Sequence, residues 1–156
     1  MADLYSTNYT KQYVNVPAEK IPAGEQYGNL RVAYDDYTFA ADVSLTAADN
    51  ITFMKIPRGA RIIDMHITHT DLGASSAAID VGWSASDDGS VAADQDGFLD
   101  GYTGITSAGS TSLGILDGRF KKFTAEGCYV VVKIMHDDVA TTTSSNIKIA
   151  LLYVVE

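Results

Sequence analysis

Apolar and polar residues alternate along most of this chain, and the alternation has the period of a strand. In KIPRGARIIDMHITHT, residues 55–70, Ile63, Met65 and Ile67 fall on one face and Asp64, His66 and Thr68 on the other. Ahead of them Pro57 removes a ladder donor and Gly59 permits a positive φ, so this stretch reads strand, turn, strand. AIDVGWS, residues 78–84, repeats the pattern, with Ile79, Val81 and Trp83 inward and Asp80, Gly82 and Ser84 outward. Near the end Ile147, Ile149, Leu151, Tyr153 and Val155 alternate with Lys148, Ala150, Leu152 and Val154. CYVVVKIMH, residues 128–136, is rich in β-branched residues. ITFMKI, residues 51–56, is a further strand, and LRVAY and YTFAADVSL are two runs separated by Asp35-Asp36. About eight strands at this spacing, with no convincing helix, predict an all-β antiparallel β-sandwich, jelly-roll-like, with an immunoglobulin-like sandwich as the alternative.

Two segments depart from the pattern. Residues 1–26 carry Tyr5, Tyr9 and Tyr13 among polar residues, with Pro17 and Pro22 favouring extended backbone. The four-residue tyrosine spacing hints at a helix, but Thr7, Asn8, Thr10, Asn15 and Val16 are poor helix formers. The segment reads as an extended N-terminal arm on a β-sandwich domain of residues 27–156, either strapped to its own domain or docked on a neighbouring subunit. Tyrosine suits such half-wet contacts. Residues 87–117 hold six of the 13 glycines and little periodicity, which predicts a long loop excursion. Phe98, Leu99, Tyr102 and Ile105 would anchor it.

At 156 residues, 46% of them hydrophobic, the chain suits one domain with a real core. The net charge of −9 opposes nucleic-acid binding, which needs a basic footprint. No run reaches the length of a membrane span. Cys128 is the single cysteine, so the fold uses no intrachain disulfide. The first ten residues lack the features of a secretion signal, and the expectation is a protein made in a cytoplasm.

Candidate chemistry is sparse. His66 and His69 are an odd number of residues apart on a strand and face opposite ways, so they cannot share a metal ion. Asp94-Gln95-Asp96-Gly97 resembles the middle of an EF-hand loop, but the template puts Ala92 first and Thr103 twelfth, where ligands are required. Residues 82–86, GWSAS, fall one short of a nucleophile elbow. Cys128 in its Val-rich setting reads as an inert thiol. The residues nominate no catalytic group, no metal and no cofactor.

Two stretches carry a resemblance. IPRGARIIDMHI, residues 56–67, and AIDVGWSASDDGSVAADQDGFL, residues 78–99, resemble elements of the small, acidic, all-β decoration (cement) proteins of tailed-bacteriophage virions. Together they cover about a fifth of the chain. The resemblance implies a non-enzymatic virion structural protein on the capsid surface, partnered by the major capsid protein of the same virion and often a homotrimer. On this expectation Tyr5, Tyr9, Tyr13, Phe98 and Tyr102 are the capsid or inter-subunit contacts. The alternative is a carbohydrate-binding module of a tail or head fibre, with Trp83 and loop tyrosines stacking on a host glycan.

Overall fold

The computed structural model describes residues 6, 10–20, 28–39, 44–46, 49–72, 77–114, 117–135, 139–140 and 145–156. Among these, ten strands run in chain order: β1 (Arg31–Thr38), β2 (Ser44–Leu45), β3 (Asn50–Lys55), β4 (Ala60–His69), β5 (Ala78–Trp83), β6 (Asp94–Tyr102), β7 (Gly109–Ser112), β8 (Tyr129–Met135), β9 (Val139–Ala140) and β10 (Asn146–Val155). One four-stranded sheet has the order β1-β10-β4-β7 and the other β3-β8-β5-β6, while β2 and β9 form a short ribbon. Every pairing of these strands is antiparallel. With the ribbon set aside, successive strands mostly alternate between sheets and the first lies beside the last. This is the jelly-roll order.

The core lies between the sheets, where Ile62, Met65 and Ile67 of β4 and Ile147, Ile149 and Leu151 of β10 meet Phe53 of β3, Ile79, Val81 and Trp83 of β5 and Val130, Val132 and Ile134 of β8. Each such side chain contributes roughly 1.5–3 kcal/mol by leaving water. The turn before β4 forms as the residues require: Ala60 N donates to Pro57 O at 3.0 Å, and Gly59 takes φ +82°.

Several expectations are corrected. The β4–β10 register shifts between Leu152 and Tyr153, so that Leu152 faces Asp64 and Tyr153 faces Ile62. This bulge re-aims the side chains beyond it: Ile62 is buried and Ile63 only half-buried, and Val154 is buried while Val155 is exposed. Asp35-Asp36 does not divide the segment into separate strands, because β1 runs through it; Asp36 N donates to Asp35 Oδ1 at 2.9 Å. Asp80 is buried rather than outward, and its Oδ1 accepts from Gly101 N at 2.8 Å.

The 87–117 stretch contains β6, the short helical turn Gly104–Thr106 and β7. Its apolar residues do anchor it, with Phe98, Leu99 and Ile105 buried and Tyr102 packed against the core. The arm is not extended throughout. Thr10–Val14 forms a π-helical turn, in which Asn15 N donates to Thr10 O at 2.8 Å and Thr10 Oγ1 to Ser6 O at 3.0 Å. Local bonding there outweighs weak helix propensity.

Candidate interaction surface

β1, β10, β4 and β7 place their outward residues in rows across one face. Val32 lies beside Leu152 and Asp64; Tyr34 beside Ala150, His66 and Ser112; Asp36 beside Lys148, Thr68 and Ser110. The side chains turn outward here because their neighbours in sequence turn inward to the core. Tyr34 is 84% exposed, and Val32 and Leu30 are also exposed. Ala150 is small, so a shallow groove of about 320 Å³ opens between Tyr34 and His66, closed at one end by Asp36 and Lys148. Tyrosine and valine left in water beside a polar rim are the composition of a protein contact surface.

At the other end of this sheet a second charged feature closes the sandwich. Glu156 accepts from Arg61 Nε at 2.6 Å, from Arg61 Nη2 at 3.1 Å and from Lys122 Nζ at 2.8 Å. Its side chain is 4% exposed. Hydrogen bonding from Arg61 leads the effects that lower its pKa to about 2, against the cost of burial. Next to this cluster Phe120 projects 59% exposed from a backbone at φ 62°, held by its N–H to Ile62 O at 2.7 Å and by Arg61 Nη1 to its carbonyl at 3.0 Å.

The residues nominated from sequence scatter. Tyr5 and Tyr9 lie outside the described residues, and Tyr13 sits in the Thr10–Val14 turn with its side chain outside them. Phe98 is fully enclosed, its ring 5.0 Å from that of Trp83, so within the protomer it is a core residue and offers nothing at the surface. Tyr102 is half-buried with its hydroxyl 3.3 Å from His69 Nε2. Trp83 is 1% exposed, packed edge-on against Phe98 and Phe123, with its Nε1 donating to Ala92 O at 3.1 Å. Its ring is enclosed, with Lys121 Nζ over it at 4.4 Å, and cannot stack on a sugar, which removes Trp83 from the carbohydrate-binding alternative.

His66 is exposed and His69 buried, as their odd spacing requires. Asp88 holds a turn: its Oδ1 accepts from Ser90 Oγ and Ser86 Oγ, both at 2.7 Å, and from Ser90 N at 2.9 Å, which lowers its pKa to about 2. Asp94 is shifted upward, first by burial and then by the Asp96 carboxyl beside it. Among the described residues no three His, Cys, Asp or Glu side chains converge as a metal site. Burial raises the pKa of the Cys128 thiol.

Sequence reasoning missed the outer face of the β1 sheet. Its signal was present in the Val32–Tyr34 spacing, but alternation says which residues share a face and not which face meets water.

The sequence matches no family model and no curated protein. Its fold does have solved counterparts. A chain in the capsid of Ralstonia phage GP4 superposes with a TM-score of 0.67 at 18% identity, over 96% of this chain and 96% of that one. A chain in the Cyanophage Pam1 capsid asymmetric unit gives 0.60 at 17% identity, over 91% of this chain and 96% of that one. This jelly roll has the fold of chains found in phage capsids.

Proposed function

We propose that this protein is a decoration, or cement, protein of a phage head, binding the assembled shell and stabilising it. The end-to-end fold likeness to phage capsid chains is the observation that carries the reading. The resemblance of residues 56–67 and 78–99 to decoration proteins supports it further. So does a surface whose distinctive features are exposed aromatic and aliphatic residues rather than convergent catalytic groups.

In this reading the partner is the major capsid protein of the same virion, and the location is the outside of the capsid. Three copies meet around a threefold position, and the arm, residues 1–26, reaches neighbouring subunits. Stabilisation follows from mass action: a protein that binds assembled shell and not free subunits shifts the equilibrium toward shell.

Co-sedimentation with empty shells tests the reading. The full chain is expected to pellet with shells and raise their melting temperature. The variant lacking residues 2–20 should stay in the supernatant while keeping its far-ultraviolet strand spectrum. A full chain that does not pellet refutes shell binding, and a truncated chain that still pellets refutes the role of the arm. Light scattering of the free protein is expected to give three times 16.7 kDa, and a clean monomer would count against the threefold reading.

A further inference from the structure

β1 lies at the edge of its sheet, and among the four edges of the two four-stranded sheets it alone joins length to an unbroken register. Natural sheets blunt their edges with short strands, bulges, prolines or charged side chains, and β1 has only the last, as Arg31, Asp35 and Asp36. β7 is four residues long, while the pairings of β3 and β6 carry register shifts. β1 has eight residues, an unbroken register with β10, no proline and no lysine. Val32 and Tyr34 stand exposed along it.

The free edge has a readable hydrogen-bond pattern. Phe39 N donates to Ser145 O at 2.9 Å, one step beyond the Thr38–Asn146 pair. Bonding alternates along an antiparallel strand, so the odd-numbered residues of β1 face β10. Val32, Tyr34, Asp36 and Thr38 therefore turn their N–H and C=O groups toward the open side. Asp36 N–H is already satisfied by Asp35 Oδ1, which ends the usable edge at Asp35.

We infer that this edge pairs with β1 of a second copy of the chain, antiparallel about a twofold axis at Ala33, Ala33 facing Ala33 and Arg31 facing Asp35. Three observations select this register. Only pairings of like parity bring outward-facing groups together. Centred on Ala33, Val32 and Tyr34 of opposite copies exchange their free backbone bonds and stack their exposed side chains. Arg31, which has no ion-pair partner among the described residues, then meets Asp35 of the other copy, twice by symmetry. Centring on Tyr34 instead would demand the Asp36 N–H that Asp35 already holds, and centring on Asp35 would set two carboxylates face to face.

One strand per copy makes a small contact, below the roughly 1,200 Å² of a stable interface, and each copy carries −9. The pairing is therefore weak in dilute solution and effective where copies are crowded. It joins copies in pairs, and whatever surface concentrates them strengthens it.

Cysteine cross-linking of the free protein tests it. Opposed residues at a non-hydrogen-bonded pair have Cα atoms about 4.5 Å apart, within disulfide range, whereas Thr38 of the two copies would lie roughly 30 Å apart. Ala33→Cys is expected to form disulfide dimers about tenfold faster than Thr38→Cys, because only the first is held in register. In the Ala33→Cys background, Arg31→Asp should slow cross-linking about tenfold by setting like charges opposite, and Arg31→Asp with Asp35→Arg should restore it. Cross-linking at position 33 no faster than at 38, or a double variant as slow as the single one, overturns the proposal.

Discussion

Phe120 concentrates a conflict in one residue. It is bulky, exposed and held at φ 62°, a region that glycine occupies without strain and an aromatic residue does not. Among the described residues nothing in the protomer's own packing calls for its ring, so the free fold is expected to gain from its loss. Phe120→Gly should stabilise the isolated protein by about 1 kcal/mol in urea unfolding. If the ring serves a contact with the shell, the same variant pellets less with shells. A variant that is both less stable and equally well bound would remove Phe120 from consideration as a docking residue.

At the level of elements, β5 and β6 depend on Trp83. Its ring fills the space between Phe98 and Phe123, and a Cβ on Gly97 would strike it, so β6 crosses where no other residue fits. Trp83→Ala should therefore cost about 3–5 kcal/mol, read as a lower urea midpoint with unchanged slope. A cost below about 1 kcal/mol would mean that the ring is not the structural centre of this sheet.

The elements also divide into those the sequence announces and those it hides. β10 and the second half of β4 are plain in their alternation, and β8 in its run of β-branched residues. β6 is not, because Asp94–Tyr102 has two glycines and three aspartates among nine residues and its pairing with β5 slips twice. The bulge opposite Leu152 is likewise silent in sequence, since Ile62 and Ile63, or Val154 and Val155, are equally good core residues until register decides between them. The contact surface was hidden for another reason. Val32 and Tyr34 look like core residues, and they stand in water because they lie on the outer face of the sheet, away from the core between the sheets.

For the molecule as a whole, the Glu156 cluster ties the last strand to the turn before β4 and to Lys122, and so links pH to stability. Its folded pKa near 2 lies below the ordinary 4.5. The stabilisation is therefore fully present above 4.5 and is lost as pH falls toward 2. Glu156→Gln leaves Arg61 and Lys122 without their carboxylate and should cost about 2 kcal/mol at pH 7, less than a fully dry pair because Lys122 reaches water. Unfolding followed at both ends of this range should show the gap between the proteins closing by pH 2. A gap that does not change with pH would assign the effect to packing rather than charge.

The partnership of β1 with β10 has a consequence for how the chain is born. Among the strands described, the one that pairs with β1 comes latest in chain order, and β1 can acquire this neighbour only after residues 146–153 have been made. Until then β1 is an open edge on both sides, and β3, whose partner β8 is also late, waits with it. Folding that depends on joining such distant segments is slow, on the scale of milliseconds to seconds for sheet proteins of high contact order. Nascent copies on one messenger would thus expose their β1 strands to one another before any has closed its own sheet.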